Sequence, residues 1–453
     1  MMAEENEPDP TPVTLDATEL QSADDFKSDG KPARGSNDNV SGDLYQRLQS
    51  NKNDSIRPNY TNARIVLEND PAWRGVLAFN LLAECPMVCA PIPSVSGDSE
   101  PVEEPEPLQD HHIRRAKGWL QVFGIPGVAT TTVHEAMLEV ASQRPYHPIR
   151  DYLNRLHRDG VWDGKDRLSS WLQDYLGAKC EDEAYLAEVG RRWLLGSVAR
   201  VMEPGCKFDY MIVTEGEQGI GKSTGAKELA GEDYFGDELP PIDKDDVRAK
   251  SYLAGKWIVE IAELDALNRS EASQAKSFLT ATKDSFIPKY GMREKHQKRQ
   301  CVFFGTTNNS EYLKDASGGR RFWPVRIPPG SYCDIESLKR DRDQIWAQAV
   351  HEYYACEPWW PDPQFEREHI TPQQESRQKE DPWEPIVLSH MQTTAIKSSG
   401  ATATEVLKNA LGFEEKQCGK KERERVLDIL RKLGCEQGTG RSRRRWFLTD
   451  GRD

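Results

Sequence analysis

Short apolar runs and longer amphipathic stretches alternate along this chain, and they are unevenly distributed. Tyr210-Met211-Ile212-Val213-Thr214, Trp257-Ile258-Val259-Glu260-Ile261 and Cys301-Val302-Phe303-Phe304-Gly305 are short, apolar and followed by Gly-rich or polar turns. Runs of this kind predict strands buried on both faces, separated by helices, and hence an α/β layer fold. Residues 113–202 are instead helical in pattern. Val133, Met137 and Val140 recur at i, i+4 and i+7, and Tyr152, Leu153, Leu156, Leu168, Trp171, Leu172 and Tyr175 continue the theme, punctuated by Pro145, Pro148 and Gly160. Residues 63–82 predict a strand and a short helix. Beyond Pro328 the pattern predicts a helix over Ile345 to Tyr354 and a Trp/Pro-rich connector from Pro358 to Pro385. Near the end, Val426, Ile429, Leu430 and Leu433 mark one helix face, with Gly434 suited to the C′ position.

Composition sharpens the picture at the ends. At 453 residues the chain has room for about three domains. Its apolar fraction of 37% fits a globular protein with a disordered piece. No apolar run approaches the roughly 18 residues a membrane span needs. The acidic segment Met1 to Pro10 is no secretory signal. Residues 1–40 carry a net charge of −7 and few large apolar residues, predicting a disordered acidic tail. Pro91 to Asp110, rich in Pro and acid, predicts a linker or exposed loop. The nine cysteines are scattered; only Cys85 and Cys89 lie close, with no second pair, so reduced thiols are expected rather than a zinc site. His111 and His112, beside Asp110, are expected to be surface residues, since adjacent positions point to different sides of an element.

The chemistry concentrates after the first apolar run. Gly216-Glu217-Gln218-Gly219-Ile220-Gly221-Lys222-Ser223 fits G-x-x-x-x-G-K-[ST], between an apolar strand and a helix-compatible segment. Gly216, Gln218, Gly219 and Gly221 would let backbone N–H groups wrap phosphates. Lys222 would reach the β/γ-phosphates, and Ser223, with Thr224 beside it, would stand at the Mg²⁺. Such a site needs an acid at a neighbouring strand end, and Glu260 and Glu263 both qualify: one for the Mg²⁺ shell, one to polarise water, with the roles left open. Asn308, at the tip of the third run, could sense the γ-phosphate. Arg320 and Arg321, at a Gly-rich corner, suit an arginine finger that completes a neighbour's site. Asn51-Lys52-Asn53-Asp54 imitates a guanine-reading motif but lies upstream in the predicted tail, so ATP is favoured over GTP. Protein-kinase signatures are absent.

The overall charge of −14 argues against non-specific nucleic-acid binding, but regions differ. Residues 283–299 are net +4, and Lys289, Tyr290 and Arg293 could hold single-stranded DNA through phosphate contacts and stacking. Residues 416–453 are net +6. There a helix is followed by a Gly-containing hairpin with Arg443, Arg444 and Arg445, a winged-helix-like pattern whose arginines could hold DNA.

These residues together resemble the virulence-associated E family of phage and mobile-element P-loop proteins, relatives of superfamily 3 helicases. The resemblance runs from about Ala63 to the C-terminus. Besides the motifs above, it is carried by Tyr146-His147-Pro148 with Asp151-Tyr152-Leu153, the Trp162-Asp163-Gly164 turn, and Pro204-Gly205-Cys206-Lys207-Phe208-Asp209. Glu260-Ile261-Ala262-Glu263-Leu264, Gly305-Thr306-Thr307-Asn308 and Gly319-Arg320-Arg321-Phe322-Trp323-Pro324 complete it. It implies an ATP- and Mg²⁺-dependent replicative DNA helicase acting as a hexameric ring. Lys222 and Ser223 would bind nucleotide, Glu260 and Glu263 would be the acids, Asn308 the sensor, Arg320 or Arg321 the finger, and Lys289 a DNA-contacting hairpin lysine. Priming would need a separate primase.

The expected architecture is therefore an α/β, AAA+/superfamily 3 helicase-like P-loop core with a preceding helical domain and a C-terminal winged-helix-like domain. Its expected divisions are an acidic tail (1–55), a small N-terminal segment and linker (56–112), a helical domain (113–203), the ATPase core (204–330), a connector (331–388) and a basic domain (389–453). The expected partners are single-stranded or forked DNA and further copies of the chain, in the bacterial host cytoplasm and away from membrane. Two other readings are an ATP-switched origin-binding initiator or loader without unwinding, and a P-loop signalling or defence ATPase without a DNA role.

Overall fold

Asn62 organises the first described turn of the chain. Its buried amide donates to the carbonyls of Gln49 and Arg57 and accepts from the Gln49 N–H, tying an entry turn onto the first helix. The computed structural model describes residues 43–94, 101–242 except 103, 247–262, 274, 277–287, 294–309, 312, 316–377, 381–439 and 444–448. The expected acidic tail lies outside them up to residue 42. Residues 43–55 differ from that expectation: Leu44 and Leu48 are buried in a core, and Asn51-Lys52-Asn53-Asp54 closes a turn through the Asn51 side chain.

A mixed layer follows: α1 (Tyr60–Asn69), β1 (Leu77–Asn80), β2 (Cys85–Val88), β3 (Glu106–Pro107), α2 (Asp110–Phe123), α3 (Thr130–Ser142) and β4 (Pro145–Tyr146). The sheet order is β3-β2-β1-β4, with β4 parallel to β1 and the other pairs antiparallel. Helix precedes strand here, the reverse of the expected order in residues 63–82. The helical stretch 113–203 divides between two cores. Val133, Met137 and Val140 of α3 join Val66, Leu77 and Leu120 around this small sheet. The next helices, α4 (Pro148–Arg158) and α5 (Glu183–Met202), pack with the central sheet instead.

That central sheet is formed by β5 (Met211–Glu215), β6 (Phe235–Gly236), β7 (Ile258–Ile261), β10 (Val302–Thr307) and β11 (Phe322–Arg326). A separate hairpin, β8 (Lys283–Phe286) and β9 (Lys295–Lys298), leaves between β7 and β10. All pairs in the five-stranded sheet are parallel, in the order β11-β5-β10-β7-β6. β5, β7 and β10 are buried along their whole length, as continuous apolar runs require. Helices α6 (Lys222–Ala230) and α7 (Ile335–Tyr354) complete this core. Three of its tryptophans are both packed and satisfied. Trp193 donates to Phe303 O (3.0 Å), Trp257 to Ser197 O (3.0 Å) and Trp346 to Leu229 O (3.0 Å).

Residues 376–453 form most of a second compact unit. It contains α8 (Glu384–Met391), α9 (Thr394–Ser399), α10 (Ala403–Asn409), α11 (Lys420–Lys432) and the antiparallel pair β12 (Cys435–Gln437) and β13 (Trp446–Leu448). Val426, Ile429 and Leu430 of α11 are buried against Val406, Leu407 and Trp446, as the helix pattern predicts. Ala401 adds a bridge to Trp446, so the hairpin is backed by a third extended segment. No helix among the described residues is long and apolar enough to cross a membrane.

Candidate active site

The strand order creates one switch point. The chain leaves β5 and crosses to the far edge at β6. It returns through β7 to β10, and then passes over β5 to β11. Ligands of open parallel sheets bind at the carboxyl ends of strands at such a point. Here the segment emerging from β5 is the glycine-rich loop 216–221, which leads directly into α6.

Gly221 shows why the loop needs its glycines. It has φ 96°, and a Cβ there would stand 3.1 Å from Cys333 Cβ. Gly219 also has positive φ (80°). No side chain caps the start of α6, so its first N–H groups point from the loop with their positive end unmasked. Gln218, Gly219, Ser223 and Thr224 lie on the exposed side of this turn.

Lys222 is buried, only 8% exposed. Its ammonium donates to Gly216 O (2.7 Å), Glu217 O (2.6 Å) and Asn308 Oδ1 (3.2 Å). Burial pushes its pKa below the usual lysine value, while Cys333 and Glu260 nearby act in the opposite direction. Ser223 Oγ donates to Glu260 Oε1 at 2.7 Å, and Thr306 Oγ1 donates to the same oxygen at 2.7 Å. Glu260 is 6% exposed, so a carboxylate in this buried strand is held by two hydroxyls beside the lysine. Thr306 has no place in the expected site. The signal for it was a pair of threonine hydroxyls ending an apolar strand, where an acceptor such as Glu260 needs a donor.

The structure thus brings together Gly216, Gly221, Lys222, Ser223, Glu260 and Asn308. Glu263 lies outside the described residues, as do Lys289, Tyr290, Arg293 and Arg443. Arg320 and Arg321 stand apart from the loop. They precede β11, and β11 pairs with β5 so that Phe322 is level with Met211 and Arg326 with Glu215. The arginines are therefore at the amino end of the sheet and the loop at its carboxyl end, roughly 15–20 Å away. Arg320 is exposed and Arg321 half-buried.

A match to the virulence-associated protein E-like domain spans residues 153–379, from α4 to beyond α7. The chain belongs to that family. The match is narrower than the stretch from Ala63 onward that the sequence motifs suggested. Among solved structures, the virulence-associated E-like chain is similar to "The apo structure of NrS-1 C terminal region (305-718)", at 11% identity and TM-score 0.41, covering 83% of this chain and 96% of that one. A second, "The A form apo structure of NrS-1 C terminal region-CTR(305-718)", has 12% identity and TM-score 0.36, covering 78% and 83%. No curated protein matches the chain.

Within the family region and just before it, several signature residues are fasteners. Asp163 accepts two hydrogen bonds from Arg167 (2.7 and 2.9 Å) and donates its N–H to Gln344 of α7. Gly205 donates to Arg299 O. His147, just before α4, accepts from Arg150 N at Nδ1 (3.1 Å). Its Nε2 lies 2.7 Å from Gln300 Oε1, at the entry to β10.

The basic hairpin β8–β9 is anchored by a buried pair. Arg299 donates to Asp284 at 3.0 and 2.6 Å and also to the Phe278 carbonyl, with its guanidinium 4.5 Å from the Phe278 ring centroid. Lys295 pairs with Glu84 (2.9 Å), so part of the segment's positive charge serves its attachment. In the C-terminal unit, Arg445 is a clamp. It donates to Ser399 O, Gly400 O and Glu405 Oε1, while Arg444 is exposed. Its guanidinium is thus engaged within the unit rather than presented outward.

The paired histidines differ from their expected surface position. His112 is 3% exposed; its Nδ1 accepts from Gln109 N and its Nε2 lies 3.0 Å from Glu106 Oε1. The His111 ring sits 3.8 Å from it. Glu106, His111 and His112 could in principle hold a metal ion. With Nδ1 accepting, however, Nε2 carries the proton and serves as the donor to Glu106, so the cluster is satisfied as a helix cap.

Proposed function

We propose that this chain is a Mg²⁺-dependent, ATP-hydrolysing DNA helicase-type motor that acts in replication of a phage or mobile element. The observation that carries the reading is the convergence of Lys222, Ser223, Glu260 and Asn308 at the carboxyl ends of three adjacent parallel strands. Loop 216–221 and the uncapped start of α6 suit a polyphosphate, and the Ser223–Glu260 pair is an oxygen-donor set suited to Mg²⁺. When bound, Mg²⁺ would supply charge neutralisation on the β- and γ-phosphates.

The residues then divide the work. Lys222 exchanges its loop carbonyls for phosphate oxygens and holds the charge that grows on the transferred group. Glu260 fixes the Ser223 hydroxyl. Asn308, already beside Lys222, orients whatever lies at the terminal phosphate. Glu263 is assigned to activating water. Arg320 and Arg321 are too far to serve their own loop, which favours a finger supplied to a neighbouring copy in a ring. The C-terminal unit is read as winged-helix-like. Lys420, Lys421 and Arg423, exposed on α11, and Arg444 on the wing would face DNA. Lys289, Tyr290 and Arg293 are assigned to single-stranded DNA in the pore.

ATPase measured with and without single-stranded DNA, alongside unwinding of a fork, tests this. DNA-stimulated hydrolysis with strand displacement supports it; duplex binding with neither would favour an initiator or loader.

A further inference from the structure

Beside the glycine-rich loop is a cleft that the residues above do not use. It has a volume of about 560 Å³ and is lined by Gly177, Ala178, Lys179, Leu186 and Tyr332 among others. That size lies within the roughly 300–1,000 Å³ of small-molecule sites.

Its position follows from hydrogen bonds. Lys179 N donates to Arg326 O, placing one wall at the carboxyl end of β11. Cys333 N donates to Ile220 O and Asp334 N to Tyr175 O, so the segment carrying Tyr332 is fastened both to the loop and to the opposite wall. Gly177 permits this approach: a Cβ there would lie 3.3 Å from Tyr332 O, at φ +69°.

The loop therefore has two unlike flanks. On the β10 and β7 side stand Asn308, Glu260 and Ser223, the groups suited to the terminal phosphate and the cation. On the β11 side stands this cleft, where apolar Ala178 and Leu186, the charged Lys179 and Glu183 and an aromatic ring, Tyr332, that is 72% exposed form the lining. A polyphosphate held along the loop with its terminal group toward Lys222 and Asn308 would have its other end toward the β11 flank. A planar heteroaromatic group is what such a cleft accepts, since a base stacks on an exposed aromatic face and excludes water from both.

We infer that the cleft between Gly177–Lys179 and Tyr332 receives the purine base of the bound nucleotide, with Tyr332 stacking on it. The inference rests on the nucleotide reading of the loop, and it makes Tyr332 a base-binding residue rather than a catalytic one.

The test is equilibrium binding of ATP and of inorganic tripolyphosphate, each with Mg²⁺, to the full chain and to three variants. Tyr332→Ala is expected to weaken ATP binding about 10- to 100-fold, as loss of a base stack does, while leaving tripolyphosphate binding unchanged. Tyr332→Phe should retain ATP binding. Lys222→Ala should lose both ligands. Undiminished ATP binding by Tyr332→Ala would overturn the inference and leave the loop assignment standing. An equal loss of both ligands in that variant would also overturn it, since the tyrosine would then be supporting the loop. A wild-type chain that binds neither ligand would overturn the nucleotide reading itself.

Discussion

Lys222 and Asn308, 86 positions apart in the chain, meet at 3.2 Å across the ends of two adjacent strands. The contact joins the loop after β5 to the tip of β10, so whatever moves one is felt by the other. Asn308→Ala should therefore lower kcat for ATP about 10- to 100-fold with little change in KM, because the lysine and loop remain to bind phosphate. Lys222→Ala should lower hydrolysis by at least about 100-fold and abolish binding. Steady-state kinetics read both, and full activity in Lys222→Ala would remove the site assignment.

Glu260 holds two hydroxyls, from Ser223 and Thr306. Glu260→Gln keeps the shape and removes the charge. Its expected signature is a raised Mg²⁺ requirement together with a fall in kcat of about 100-fold. A magnesium titration that matches the wild type would show that this carboxylate does not serve the cation.

His147 makes stability depend on pH. Burial lowers its pKa from 6.5 to about 4, against the opposing hydrogen bond to Gln300. The unfolded chain then binds the proton more readily than the folded one. The stabilisation is complete above about pH 6.5, is lost as pH falls toward 4, and amounts to about 3 kcal/mol at most. Denaturant unfolding of wild type and His147→Gln across this range should give a difference curve with that slope; parallel curves would refute it.

Asp284 and Arg299 hold the root of the β8–β9 hairpin in a fully enclosed ion pair, with side-chain exposures of 5% and 0%. Asp284→Ala would strand the guanidinium and should cost about 3–5 kcal/mol. Replacing both partners with apolar residues of similar size should recover much of that loss. Urea denaturation distinguishes the two cases.

Arg320 and Arg321 cannot reach their own loop. Mixing Lys222→Ala subunits with Arg320→Ala/Arg321→Ala subunits should restore part of the ATPase that neither has alone. Each supplies what the other lacks. A mixture as inactive as its components would argue against a shared site.

The central layer was legible because buried parallel strands leave continuous apolar runs, as in Met211–Glu215 and Val302–Thr307. Lys222, Ser223, Glu260 and Asn308 were legible because their chemistry is local to a loop or a strand end. What covers each element was not. Periodicity shows that Val133, Met137 and Val140 share a buried face, but not that their partners are a small sheet rather than α5. The positive charge of Arg445 suggested a nucleic-acid contact, while its three acceptors within the unit emerge only from the fold. The opposite happened at His112, where adjacency to His111 suggested exposure and a helix cap required burial. The Tyr332 cleft left no sequence mark, since its walls come from segments about 150 residues apart.

Because every strand of the central sheet points the same way, the molecule has a front and a back. The glycine-rich loop faces one way and the arginine pair the other. For an enzyme that uses both, catalysis is a property of contacts between molecules, and its rate should not be first order in protein. Dilution would switch it off without unfolding a single chain, and a subunit defective at only one face would poison one junction while still serving the other.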